Sequence, residues 1–95
     1  MVVAPYQQCV KNNIILRWFD PHSDDEEFVW HRDRSNRLVR VVQGSGWKFQ
    51  FDNEIPQDIQ AGTILYIDKN RYHRIIKGSG QLVVEIIEEL DSDGD

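Results

Sequence analysis

Four residues have the types and spacing to do chemistry together: His31, Asp33, Arg37 and His73. Side chains alternate along a strand, so an imidazole and a carboxylate one residue apart point to the same side. In WHRDR this pairs His31 with Asp33 and puts Arg32 and Arg34 opposite. Beyond the Ser35-Asn36 turn, Arg37, Val39 and Val41 share a face, and His73 follows a second turn, in RYHRI. Two histidines and one carboxylate make the facial set that suits non-haem Fe(II), and the same donors accept Ni, Mn or Zn. Arg37 is the discordant member, because a guanidinium neither coordinates a cation nor gives up its charge. At about 4 Å and an effective dielectric near 20, Arg37 would repel a divalent ion by roughly 8 kcal/mol. A good zinc site supplies about 10–16 kcal/mol, so an Arg37 aimed at the metal would remove most of the affinity. Three arrangements escape this conflict: Asp33 and Arg37 paired without metal, Arg37 turned aside, or an anionic ligand between Arg37 and the metal. Arg37 and Tyr72 are the candidate contacts for such an anion, which a guanidinium grips with two parallel hydrogen bonds.

The elements that must hold these residues are short and β-rich. IILRWF (Ile14 to Phe19) is β-branched and aromatic and too short for a free-standing helix, which predicts a strand. FVWHRD, RLVRVVQ and WKFQFD follow as further strands, separated by turn formers such as Ser35-Asn36 and Gly44-Ser45-Gly46. In WKFQFD the alternation assigns Trp47, Phe49 and Phe51 to the core and Lys48, Gln50 and Asp52 to solvent. TILYI, HRII and LVVEII are nearly continuous apolar runs, the pattern of strands covered on both faces. In one small barrel the outer face meets water, so a second subunit is expected to cover one face, giving a homodimer. The expected organisation is an N-terminal arm over residues 1–13, one barrel over 14–89 and a disordered acidic tail over 90–95. DPHSDDEE (Asp20 to Glu27) lacks the alternating oxygen ligands of a calcium loop and reads as a solvated loop.

Composition narrows the function classes. A chain of 95 residues with 40% hydrophobic residues supports one domain with a real core. Its net charge of −5 disfavours nucleic acid and anionic membrane as partners. Arg32, Arg34, Arg40, Arg71 and Arg74 around Trp47 and Tyr72 could form a nucleic-acid patch, but no binding motif accompanies them. Cys9 is the only cysteine, so no intrachain disulfide is available, and it reads as a small apolar side chain rather than a nucleophile. Neither a signal peptide nor a membrane-spanning run is evident, and a cytoplasmic setting is expected.

The spacing also resembles a known family, the cupins, whose first motif is G-x5-H-x-H-x3,4-E-x6-G and whose second is G-x5-P-x-G-x2-H-x3-N. His31, Asp33, Arg37 and Gly44 fall where the first motif has His, His, Glu and its final Gly. Gly62, Asp68, Asn70 and His73 fall where the second has Gly, Pro, Gly and His, and Lys77 stands in place of its final Asn. Asp25 occupies the position of the opening Gly, and 17 residues separate Gly44 from Gly62, as in small single-domain cupins. The resemblance spans Trp30 to about Ile76 and implies an all-β fold, the double-stranded β-helix, a small β-barrel or jelly roll.

It also implies a barrel-interior site with His31, Asp33 and His73 as metal ligands, no organic cofactor, and oxygenase- or isomerase-type chemistry on a small anionic molecule. The H-x-D…H pattern is shared with 2-oxoglutarate oxygenases, which are usually much longer chains. Two other readings stay open. One is a metal-free pocket in which Arg37, His31, His73 and Tyr72 or Arg71 bind a small anion. The other is a non-catalytic dimerising protein in which Asp33 and Arg37 form a buried pair. Scaffold alone does not choose between them.

Overall fold

The computed structural model describes residues 6–11 and 13–89, with side chains from residue 13 onward. Eight strands follow in order: β1 (Tyr6–Lys11), β2 (Ile14–Phe19), β3 (Arg37–Ser45), β4 (Lys48–Phe51), β5 (Gln57–Asp58), β6 (Ile64–Ile67), β7 (His73–Ile76) and β8 (Ser79–Glu88). They form a five-stranded sheet in the order β1-β2-β8-β3-β6 and a three-stranded sheet in the order β5-β4-β7. All the strand pairs are antiparallel. Part of the expected N-terminal arm is thus a strand, paired with β2 from Tyr6↔Phe19 to Lys11↔Ile14. The expected tail, residues 90–95, and the side chain of Cys9 lie outside the described residues.

Alternation decides which residues fill the space between the sheets. Phe19 of β2, Val39 and Val41 of β3, Phe49 and Phe51 of β4, Leu65 and Ile67 of β6, Ile75 of β7 and Leu82, Val84 and Ile86 of β8 form one buried cluster. Trp47 joins them with no exposed surface, which removes it from any basic surface patch. Burying these side chains supplies the stabilisation that a chain of this size has to find in a single core. Of the apolar runs read as covered on both faces, TILYI and HRII alternate in the single chain, whereas Leu82, Val83 and Val84 of β8 are buried in succession. Leu65 and Ile67 are buried, whereas Ile64 is 63% exposed and Tyr66 48%.

The segment expected as a strand over Phe28 to Asp33 is the main departure. Glu26–Phe28 form a 3-10 turn capped by Asp25, whose side chain accepts a hydrogen bond from the Glu27 amide at 2.8 Å. A short acidic side chain that bonds its own downstream backbone competes with strand pairing. Extended pairing is left only at His31, which exchanges backbone hydrogen bonds with His73 at 3.1 and 2.9 Å.

Two turns bring the halves of the site together. Asn70 adopts φ of 66°, the left-handed geometry that Asn tolerates. Its amide donates to the Asp33 carbonyl at 2.7 Å, while the Lys69 amide donates to Asn36 Oδ1 at 2.7 Å. At the other end, Gly78 packs so tightly against Trp47 and Gly46 that an added Cβ would lie 2.4 Å from the Trp47 nitrogen.

Candidate metal centre

His73 opens β7, and its side chain points into the barrel, stacked on Phe49 at 5.5 Å between ring centres and 1% exposed. Its Nδ1 lies 2.7 Å from the Arg71 carbonyl. A carbonyl only accepts, so Nδ1 carries the proton and the lone pair of a neutral ring is on Nε2. His31 repeats this arrangement, its Nδ1 2.8 Å from the Val29 carbonyl. Each ring is therefore held by the backbone carbonyl two residues before it. The backbone bridge between the two histidines brings the ring centres to 4.3 Å.

Carboxylates complete the cluster. Glu27 Oε1 stands 2.8 Å from His31 Nε2, and Asp33 Oδ2 stands 3.2 Å from His73 Nε2. Despite these distances, both Nε2 atoms and Asp33 Oδ2 are buried without a properly directed hydrogen bond. One ligand atom from each of Glu27, His31 and His73 lies within 4.8 Å of the others. Two lone pairs and several carboxylate oxygens converging on one point need a cation there, either a proton or a metal.

The titration behaviour reflects this competition. For His31, burial is the largest influence and favours the neutral ring, but the Glu27 carboxylate, the Val29 carbonyl and Asp33 together outweigh it, and its pKa is raised above 6.5. Burial likewise opposes ionisation of Glu27, yet His31 beside it holds its pKa below 4.5. Asp33 follows the same pattern, with His73 and Arg37 overcoming burial to hold it below 3.8. Asp25, where burial prevails, is raised above 3.8.

Arg37 is held between two carboxylates. In the β3–β8 register it sits directly opposite Glu88. Its Nη2 and Nε donate to Glu88 Oε2 at 2.8 and 3.1 Å, while Nη1 lies 3.6 Å from Asp33 Oδ1. Asp33 thus shares its two oxygens between Arg37 and His73. On the other side, Arg17 Nη1 lies 3.4 Å from Glu27 Oε2. A polar cavity of about 220 Å³ opens among Arg17, Glu27, His31, Asp33 and Arg37. A smaller one of about 30 Å³ continues into the apolar barrel beneath His73.

Of the five residues singled out in the sequence, His31, Asp33, Arg37 and His73 meet here. Tyr72 does not: it lies just before β7, 43% exposed, with Arg32 over its ring at 5.3 Å. Glu27 is the residue that the sequence reading placed in a solvated loop. Its spacing of four residues from His31, following a capping Asp25, is the signal that could have pointed to it. His22, from the same loop, is exposed and outside the cluster.

No family model and no curated protein matches the sequence. Solved structures do match in fold. An RmlC-like cupin from Shewanella frigidimarina is 19% identical over 93% of this chain and 78% of that one, with a TM-score of 0.66. KdgF from Halomonas sp. is 15% identical over 98% of this chain and 88% of its own, with a TM-score of 0.66. A DMSP lyase structure aligns with a TM-score of 0.69 at 18% identity, over 86% of this chain but only 40% of that chain. The antiparallel barrel, the inward histidines and these likenesses agree: this chain has the fold of the cupins.

Proposed function

We propose that this protein binds a divalent metal ion through His31 and His73, with Glu27 and Asp33 as the carboxylate donors, and presents that site to a small anionic molecule. One observation carries the reading: two buried Nε2 atoms, each fixed by an Nδ1–H bond to a backbone carbonyl, face carboxylate oxygens with no hydrogen bond of their own. This is how ligating histidines are oriented in metal sites. The mixed nitrogen and oxygen set suits Fe, Mn, Ni or Zn. The fit includes Arg37, because Glu88 and Asp33 both pair with its charge.

A bound ion would act there as a Lewis acid. The chain's own residues supply the rest. Arg37 and Arg17 line the polar cavity and would orient a carboxylate or phosphate, while the apolar wall beneath His73 limits water. Fold neighbours described as a DMSP lyase and a mannose-6-phosphate isomerase support chemistry on small molecules as a class, of the lyase or isomerase kind.

Elemental analysis of untagged protein purified without chelator tests this reading against His73→Ala and Glu27→Gln variants checked for folding by circular dichroism. Stoichiometric metal in the parent and its loss in His73→Ala is the expected result; a metal-free parent overturns it. One observation favours the runner-up, a metal-free anion pocket: the raised pKa of His31 lets a protonated ring pair with Glu27 unaided. Thermal stabilisation by carboxylates or phosphates in chelator would then be the readout.

A further inference from the structure

The backbone bridge between His31 and His73 also fixes what lies on either side of it. Continued antiparallel, it sets Trp30 beside Arg74 and Arg32 beside Tyr72. The contacts agree: the Arg74 guanidinium lies 4.7 Å from the Trp30 ring centre, and that of Arg32 lies 5.3 Å from the Tyr72 ring centre. Both rings are 43% exposed. Just past β4, the Asp52 amide donates to the Tyr72 carbonyl at 3.0 Å, which brings a carboxylate to the same place. Trp30, Tyr72 and Asp52 line a cavity of about 270 Å³ that shares no residue with the cavity beside His31 and Asp33. The Asp52 carboxylate has no hydrogen bond or ion pair among the described residues, and neither Arg32 nor Arg74 has a carboxylate partner among them.

We infer that this cavity is a second binding site, for a guanine nucleotide. Three features select that class. Diagonal neighbours on paired strands, as Trp30 and Tyr72 are, stand about 7–8 Å apart. That gap equals two stacking contacts of about 3.5–4 Å each, so it admits one flat ring between the two side chains. An ionised carboxylate only accepts, so the edge facing Asp52 has to present donors alone. Guanine shows N1–H and the N2 amino group side by side, whereas adenine and cytosine each place an acceptor next to their amino group. Arg32 and Arg74 flank the rings and meet the phosphate, a contact that also disfavours a cationic ligand. The net charge of −5 opposes an anion only weakly here, because charges more than about 8 Å away are largely screened at physiological ionic strength.

Titration calorimetry of the full chain in chelator, with guanosine monophosphate and adenosine monophosphate to about 5 mM, tests the inference. The parent should bind the guanine nucleotide and prefer it over the adenine one. Trp30→Ala and Tyr72→Ala, both at exposed positions, should each weaken binding by at least about fivefold, the low end of what stacking on one ring contributes. Asp52→Asn should erase or reverse the preference, since an amide offers one acceptor and one donor, the pattern that adenine matches. Arg32→Gln should weaken binding of the nucleotide but not of guanosine. Arg37→Met, which alters the separate cavity beside Asp33, should bind as the parent does. A parent that binds neither nucleotide, or both equally, overturns the inference. So does binding that survives Trp30→Ala and Tyr72→Ala, or that is lost in Arg37→Met.

Discussion

At the scale of single residues, His31 has to accept one of two cations. Without metal, its raised pKa means that the protonated ring is part of what stabilises the fold. A group whose pKa is raised on folding contributes fully below its unfolded value and loses the contribution as pH rises through the folded one. Glu27 and Asp33 are lowered from 4.5 and 3.8, so their contributions are present above those values and fall away on acidification. The metal-free protein should therefore be most stable between the upper carboxylate range and the raised His31 value. It should lose stability on the alkaline side, and His31→Gln should abolish that alkaline decline. A decline that persists in His31→Gln would assign it to another group. Metal binding has the opposite sign, since the ion displaces the proton from His31. Affinity for Zn or Mn should thus rise as pH crosses the same range, by up to about tenfold per pH unit for one displaced proton. Titration calorimetry at three pH values measures it directly.

At the scale of elements, the spacing of His31, Asp33, Arg37 and His73 was legible because strand parity and turn length fix who faces whom. Glu27 was not, since it reaches the site through a 3-10 turn that Asp25 caps, a local hydrogen bond that no strand periodicity reports. Neither was the fate of Arg37. Its partner Glu88 lies 51 residues away, and only the β3–β8 register puts them opposite each other. In that register Glu88 shares with Asp33 a positive charge beside the proposed ion. Glu88→Gln should release Arg37 and lower metal affinity by roughly 10- to 100-fold, the usual effect of losing a supporting partner. In an Arg37→Met background the same substitution should change little. Equal losses in both backgrounds would mean that Glu88 acts by some route other than Arg37. The β7–β8 connection allows a second test, on stability. An alanine at Gly78 would place its Cβ 2.4 Å from backbone, with no flexible side chain to yield. Gly78→Ala should lower stability by about 1–3 kcal/mol, read as a reduced denaturant midpoint at constant slope.

At the scale of the molecule, the apolar runs in β6 and β8 had two meanings that the sequence could not separate: strands sandwiched within one chain, or strands with one face in the core and one awaiting a neighbour. The fold separates them, because Leu65, Ile67, Val84 and Ile86 turn inward while Ile64, Tyr66 and Ile87 remain exposed on the other side. If a second copy covers that side, stability must depend on protein concentration, since unfolding then separates the two chains. A hundredfold increase in concentration adds about 2.7 kcal/mol per dimer, which for chains of this length corresponds to a rise in Tm of roughly 5–10 °C. Differential scanning calorimetry at two concentrations reads this without any variant. Leu38→Asp, between Ile87 and Tyr66 in the exposed row on that side, should make Tm independent of concentration, because the row no longer has a reason to be covered. A parent whose Tm ignores concentration would mean that the exposed row stays in water, and that the core between the sheets carries the stability of this domain alone.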